Sequence, residues 1–574
     1  MKLTSRGLFE RVVKQSGQRS VDLANMRLGI NCSDDIFFKL NEGGRVQWVV
    51  SRTCDHSNGK LRLNSDGVTA TCPLHNWKLS LERLTYENVQ LKKECLPFRQ
   101  EGSTLFYEQP EISLRIAPAL SDGSNTSASI RFLAHACVEI AVEGITIVSD
   151  PWLVGPCFTT GWWHDAIPAA DALEITNGAD AIYLSHNHPD HLHLETLKRV
   201  DRNKPLIIPD FKSRSVEKIV RAMGFTELHI LSFGTLFEIE DTKILVSILP
   251  SGDFRDDSGL FVSHGDFSAL LTVDANRLNQ YILPERPSVL LSSFASGATG
   301  YPLCFEMYSD EQKASMLARN CRTAMGSTEK YILSTEPSVF MPYAGYFTEA
   351  APRDRYIKEH NRKNGAFFAK EYLQKRFPDV RIVNPLETDV VDWKCGAITT
   401  KHSDVPPMFV QDADYIDKWI SNVDDPASPL SDGAVQTYFA NARLRDDLIL
   451  YLVPTEDDFI AVNDGNGYIV DFRGDVITVA LRPASGVNEL YESKSKLHKE
   501  GDSRIKRIRV RRPSLAQVIH NGLPWEDLSI GFQCRVHRTP DIYNSDFWFY
   551  FTNEYIGTEV AQASASEQNE NCNG

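Results

Sequence analysis

Apolar residues in this chain fall in short alternating or continuous runs more often than at helical spacing. Residues 1 to about 118 carry such runs, RVQWVVSR (45–52) and ISLRIA (112–117) among them, and predict a small all-β region. The polar stretch SDGSNTSAS (121–129) follows and reads as a linker. From about 130 the pattern changes. RFLAHACVEIAVEGITIVSDPW (131–152) predicts two strands joined at Gly144, and ADAIYLSHNHPDH (179–191) predicts a buried strand delivering a loop dense in histidine. LHLETLKRV (192–200) then opens as a helix. Strand and helix signals continue to about 400, KHSDVPPMFVQDAD (401–414) breaks them with prolines, and a mixed region runs to about 556. The polar segment 557–574 predicts a disordered tail.

Bulk properties narrow this picture. A chain of 574 residues is too long for one hydrophobic core, so about two to four domains are expected. No apolar run reaches the ~20 residues that span a bilayer, so no membrane span is expected. The start, MKLTSRGLFERVVKQSGQRS, lacks the apolar stretch of a secretory signal, and the eleven cysteines show no paired framework. Reduced thiols in a cytoplasmic protein are the expectation. A net charge of −15 argues against non-specific nucleic-acid binding.

Chemistry concentrates in two places. Residues 54–77 read CDHSNGKLRLNSDGVTATCPLHNW, in which Cys54 and His56 form a C-x-H pair and Cys72 and His75 a C-x-x-H pair, fifteen residues apart. Two loops that each offer one thiolate and one imidazole suit a [2Fe–2S] cluster with Cys on one iron and His on the other, the Rieske arrangement. A Cys2His2 zinc site has the same ligand count. Zinc fingers, however, pair Cys with Cys and His with His, and set the His pair on a helix, whereas KLRLNSDGVTAT between these pairs is strand and turn.

The second place is SHNHPDHLH (185–193). His186, His188, Asp190 and His191 follow a strand in the order H-x-H-x-D-H, which resembles the ligand loop of the metallo-β-lactamase fold. That resemblance implies that His186 and His188 serve one metal and Asp190 and His191 a neighbouring one, with Asp150 and Pro151 bracing the loop. It also makes Asp274, at the end of the apolar strand in ALLTVDAN, a bridging carboxylate. A strand-end cap is the plainer reading of Asp274. For a further ligand in LPSGDFRDDSGLFVSHGD (249–266), Asp253 is the first candidate, with Asp257 and His264 as competitors. Beyond Asp274 the next histidine is His360, on what reads as a helix surface. His135 and His193 read as supporting or packing residues, and His164 as either a cavity-mouth or a surface-loop residue.

With both sites in view, the chain resembles the CMP-N-acetylneuraminate hydroxylase family. The resemblance rests on CPLHNWKL (72–79), HAC (135–137), DPWLVGPCFTTGWW (150–163), SHNHPDHL (185–192), SSFASGATGYP (292–302), PYAGYF (342–347) and LPWEDLSIGFQCRVHRTPDIY (523–543). It implies a multidomain protein: an N-terminal all-β Rieske domain (1–120), an αβ/βα metallo-β-lactamase-like catalytic domain (130–400) and a C-terminal α+β region (401–556). It further implies a monooxygenase that uses the cluster and non-haem iron, mononuclear or dinuclear, to insert one oxygen from O2 into an N-acetyl group of a CMP-sialic acid or a related substrate. Where that family carries a histidine, this chain has Asp253, so substrate contacts do not transfer.

No glycine fingerprint for a dinucleotide appears, so NAD(P)H is not oxidised on this chain. An external donor is expected, cytochrome b5-like or ferredoxin-like, with its own NAD(P)H reductase. Three readings compete: the same machinery on another amine or amide, a zinc-dependent hydrolase of a phosphodiester or amide, and a non-catalytic redox carrier. SSFASGATGYP and PYAGYF read equally as cavity lining or as turns that need glycine. The basic stretch KSKLHKEGDSRIKRIRVRRPS (494–514) reads as a solvated strand, with a docking surface for phosphate or an acidic protein as the alternative.

Overall fold

A computed structural model describes residues 1–55, 60–72, 77–87, 91–120, 123–424, 429–462 and 465–557, the side chains of 15–17 and 109–111 excepted. The expected tail therefore lies outside the described residues apart from Gly557.

Two eight-stranded sheets face each other across the central region. The first runs in the order Leu228–Leu231, Leu206–Pro209, Ala181–Tyr183, Ile145–Ser149, Cys137–Val142, Ser127–Ala134, Val390–Lys394 and Ala397–Lys401. The hairpin expected at Gly144 forms there, with Val142 opposite Ile145. The second sheet runs from Leu3–Leu8 through Thr235–Ile239, Leu245–Pro250, Ser258–His264, Phe267–Leu271, Val289–Ser292 and Val339–Pro342 to Arg381–Ile382. Strands with both faces covered read as unbroken apolar runs, and VLLS, VFMP and LIIP are fully buried accordingly. Ile140, Ile147 and Tyr183 of one sheet and Ile248, Leu260 and Leu290 of the other meet in a single core, so the sheets form a sandwich. Helices cover the outside, among them Ser215–Ala222 and the long helix Asp310–Thr335, whose start is fixed by a Ser309–Gln312 capping box.

The N-terminal region is all-β as expected, built of three small antiparallel sheets. One of them joins Arg62–Leu63, Thr69–Thr71, Lys78–Ser80 and Thr85–Tyr86. The first strand behaves differently. Leu3–Leu8 pairs antiparallel with Thr235–Ile239, so the start of the chain is an edge strand of the central sandwich rather than part of the small sheets. Phe9 anchors it by packing edge-on against Phe261, 5.4 Å between ring centres.

The C-terminal region holds a five-stranded sheet, with Arg504–Arg511 inside it between Leu448–Thr455 and Cys534–Thr539. This corrects both readings for the strand part of the basic stretch, while Lys494, Lys496 and Lys499 before it are exposed. RIKRIRVR is neither solvated nor a docking surface, because Lys506, Arg507 and Arg511 are buried. Carboxylates from the central region make the burial of the arginines tolerable, while the Lys506 ammonium lies over the Phe547 ring, 4.1 Å from its centre. Arg507 and Arg509 share Glu306, while Arg511 binds Asp354 at 2.6 Å, Gln533 at 3.0 Å and the Arg353 carbonyl at 2.9 Å. The strand is thus stitched across two regions by buried ion pairs. Removing one partner strands the other's charge away from water, so Arg511→Met is expected to destabilise by about 3–5 kcal/mol. The Arg511→Met/Asp354→Leu double variant should recover most of that. Thermal denaturation of the three proteins checks it: equal losses in single and double variants would contradict it.

Among the described residues no helix is long and apolar enough to cross a membrane.

Candidate metal centre

The strand Ala181–Tyr183 runs parallel between Ile145–Ser149 and Leu206–Pro209, and its C-terminal end releases the loop that carries the histidines. Asp150, at the end of the adjacent strand, accepts hydrogen bonds from Ser185 N at 2.8 Å and Ser185 Oγ at 2.7 Å, and its Oδ2 lies 2.9 Å from His191 Nδ1. The expected brace is therefore present. Both Asp150 and His135 adopt positive φ, 38° and 35°. Such backbone costs of order 1–3 kcal/mol each and persists where surrounding contacts over-determine it.

Each loop imidazole has one nitrogen pinned and the other turned inward. Ser185 Oγ lies 3.0 Å from His186 Nδ1, Asp150 holds His191 Nδ1, and Glu526 Oε2 lies 2.8 Å from His188 Nε2. The inward atoms then converge. His186 Nε2 is 2.9 Å from His188 Nδ1 and 3.9 Å from Asp257 Oδ1, and His191 Nε2 is 3.2 Å from Asp190 Oδ2 and 3.5 Å from Asp274 Oδ2. Three groups bring their donor atoms within 4.8 Å of one another: His186, His188 and Asp257; His186, His191 and Asp274; and His135, Asp190 and His191. His191 Nε2 and Asp190 Oδ1 are buried without a hydrogen-bond partner, which is costly unless a cation meets them, whereas Asp257 Oδ2 already faces Arg255 Nη2 at 3.1 Å. Imidazole and carboxylate donors of this kind suit a borderline divalent metal such as iron or zinc, so the residues fit the expected group.

Electrostatics agree with this. Burial pushes the Asp257 carboxyl up to about 6, although Arg255 and His188 pull it down. Burial works against a proton on His188, but the hydrogen bond and charge of Glu526 lift it to about 9. His191 is raised as well: burial opposes this, and Asp190, Asp274 and Asp150 outweigh it. His186 is held neutral by burial and by the two histidines beside it.

The other candidates separate cleanly. Asp253 lies outside all three groups and caps its own loop, accepting from Ser251 Oγ at 2.9 Å, Arg255 N at 3.1 Å and Asn276 Nδ2 at 3.0 Å. Asp257, the competitor, is the acid of that segment that joins a group. His264 sits at the far end of its strand, 3.0 Å from Thr126 Oγ1. His135, read as a supporting residue, joins a group through Nε2, 3.1 Å from Asp190 Oδ2. His193 caps the helix Leu194–Leu197. His164 is buried and stacked on Trp152 at 4.2 Å, so it is neither a surface residue nor cavity lining. His360 is exposed and stacks on Tyr356.

Sequence reasoning missed Glu526, which reaches His188 across 338 positions. A carboxylate that orients a ligating imidazole is typically worth about 10–100-fold in metal affinity or activity. Glu526→Ala is expected to lose that much, and Glu526→Gln, whose amide oxygen still accepts, only part of it. Chelator competition on both variants checks the order.

The donors face a cavity of about 340 Å³. Phe158, Trp162 and Phe347 wall one side, and the C-terminal region closes it with Glu526, Arg538 and Trp548. Both undecided motifs line it. They also need their glycines: a Cβ on Gly300 would meet the Ser529 carbonyl oxygen at 2.2 Å. The N-terminal region packs against two of its lining residues, Tyr543 and Arg277. Trp77 stacks on Phe254 at 5.2 Å and on Tyr543 at 5.8 Å, and Asp55 pairs with Arg277 at 3.1 Å. Cys54 and Cys72 are both fully buried in one apolar cluster there, while His56 and His75 lie outside the described residues.

Residues 129–249 match the model of the beta-lactamase superfamily domain. The chain is 29% identical over 572 residues to the cytidine monophosphate-N-acetylneuraminic acid hydroxylase of Danio rerio, covering 93% of this chain and 92% of that one. It is 31% identical over 527 residues to the protein of that name from Asterias rubens, covering 86% and 77%. Among solved structures it is similar to CmlA, a diiron beta-hydroxylase from Streptomyces venezuelae, at 16% identity, with 49% of this chain and 55% of that one covered and a TM-score of 0.30.

Proposed function

This chain belongs to the cytidine monophosphate-N-acetylneuraminic acid hydroxylase family and is an oxidoreductase, and on that premise we propose that it is a Rieske-dependent non-haem iron monooxygenase acting on the N-acetyl group of a CMP-linked sialic acid. The observation that carries the reading is relatedness along nearly the whole chain, which takes in the Cys54 and Cys72 segment as well as the histidine loop. His186, His188, His191, Asp190, Asp257 and Asp274 would hold iron, with Asp253 as a brace of the loop rather than a ligand. Cys54, His56, Cys72 and His75 would hold the cluster. When bound, the iron supplies O2 activation and the cluster supplies electrons one at a time.

The balanced conversion takes an acetamido methyl group, O2, two electrons and two protons to a hydroxymethyl group and water. The electrons come from an external one-electron donor protein, cytochrome b5-like or ferredoxin-like. The chain's own residues do the rest. Glu526 fixes the His188 ring and Asp150 the His191 ring. Phe158, Trp162 and Phe347 keep the cavity wall apolar and exclude water from the reacting methyl group. Trp77, stacked on Phe254 and Tyr543, holds the N-terminal region against the cavity wall.

The test is iron, zinc and acid-labile sulfide content of anaerobically purified protein, its EPR spectrum after dithionite, and mass spectrometry of CMP-N-acetylneuraminic acid incubated with donor and O2. A Rieske signal, iron beyond the cluster's own and a product heavier by one oxygen are expected. A Rieske signal without product on this substrate moves the reading to another amide. Zinc in the second site and no Rieske signal would overturn it in favour of a hydrolase.

A further inference from the structure

The long helix Asp310–Thr335 turns one face to the cavity, and Asn320, Thr323 and Ser327 line it at spacings of three and four residues. Polar side chains in a helix normally satisfy themselves nearby, and on this helix Thr328 and Thr335 do so, donating to the Ala324 and Tyr331 carbonyls. Asn320, Thr323 and Ser327 make no side-chain hydrogen bond among the described residues. Three neutral groups are thus left open toward one space.

The next position on that face, Tyr331, joins the helix to a cation. Its hydroxyl donates to the Ala275 carbonyl and accepts from Leu278 N, both at 2.8 Å, and so fixes the turn that bears Arg277. Arg277 lines the cavity too, and its Nε is buried without a partner. Its one carboxylate partner among the described residues, Asp55, is shared: Lys93 Nζ lies 2.8 Å from the other oxygen. Two cations against one carboxylate leave this corner net positive. At the metal corner Asp190, Asp257, Asp274 and Glu526 stand against Arg255, His188 and His191, and the iron those acids would hold offsets them further. The cation at the helix end therefore marks where an anionic group of a ligand would sit.

We propose that Asn320, Thr323, Ser327 and Arg277 form the subsite that holds the anionic, hydroxyl-bearing end of the substrate and so presents its acetamido group to the histidine cluster. The assignment rests on the proposed reading for the identity of that substrate. In a CMP-linked sialic acid the carboxylate and phosphodiester share one ring carbon, and the acetamido group lies across the ring from them. The cationic corner suits the anionic end, and the histidine cluster at the other end of the cavity suits the neutral acetamido group.

The test uses full-length protein with its metals. Binding of CMP-N-acetylneuraminic acid and of CMP is measured by calorimetry, with KM, kcat and iron content, for wild type, N320A/T323V/S327A and R277M. Losing two or three neutral hydrogen bonds is expected to raise Kd and KM about tenfold or more in the helix variant, with kcat changed less than about threefold and iron unchanged. Arg277→Met should weaken the intact substrate at least as much. Because Arg277 also touches Asp55, the helix variant is the deciding one, as it leaves that ion pair alone. Wild-type turnover with unchanged Kd and KM in the helix variant would overturn the subsite and leave the function standing. A wild type that neither binds nor oxidises the substrate would overturn both.

Discussion

Replacing His191 by alanine is expected to empty the second metal site and lower hydroxylation by about 10³-fold or more. A group that only orients a ligand is typically worth about 10–100-fold, and His191 is placed to be the ligand itself. Its ring joins two of the three donor groups, so no neighbour can substitute for it. Asp150, on its outer nitrogen, would keep a buried carboxylate that has lost one partner, so some loss of stability accompanies the loss of metal. His264→Ala is the control: it removes a histidine of the same region that faces Thr126, and metal content and turnover should stay near wild type. Metal analysis and single-turnover assays decide the matter. Full metal content in the His191 variant would mean that the donors were wrongly assigned.

Cysteine 72 gives the complementary result. Cys72→Ala is expected to abolish the iron–sulfur signal, remove about two iron atoms and two sulfides per chain, and stop turnover driven by the external donor. The thiol is fully buried beside Leu79, Trp77 and Cys54 in the small N-terminal core, so alanine leaves that core apolar and the fold intact. The central core is built of different residues, and the second metal should therefore remain. EPR and sulfide analysis of both variants form one experiment: each should lose one centre and keep the other. A Cys72 variant that retained its sulfide would remove the cluster from the proposal.

What could be read beforehand follows from how local each feature is. The histidine loop was legible because four donors fall within six residues after an apolar strand, and the strand sets their direction. Asp274 was legible for a related reason, since it lies in the turn three residues after the buried strand Phe267–Leu271. The choice between Asp253 and Asp257 was not. Both lie in one irregular loop, and which acid turns inward depends on Asn276 and Ser251 capturing Asp253, a contact that no spacing announces. Glu526 was invisible because its partner lies in a different region of the chain. The basic strand Arg504–Arg511 was misread for a related reason. Charge in a sequence suggests solvent, and the carboxylates that allow these arginines inside come from Glu306 and Asp354, far upstream.

The pairing of Leu3–Leu8 with Thr235–Ile239 bears on how the protein is made. The first strand leaves the ribosome more than two hundred residues before the strand it pairs with. At roughly 5–20 residues per second, that is an interval of about 10–45 s in which its backbone groups have no sheet to join. The sequence of the strand suits such a wait. LTSRGL is short, carries Arg6, and leaves all but its first residue exposed even when paired, so little in it invites a wrong partner. A bulky fusion at the amino terminus would meet the nascent chain at the very element that must stay available longest, whereas a fusion after residue 557 meets a chain whose sheets already exist. For producing this enzyme, the end at which a tag is placed is a question of translation order as much as of geometry.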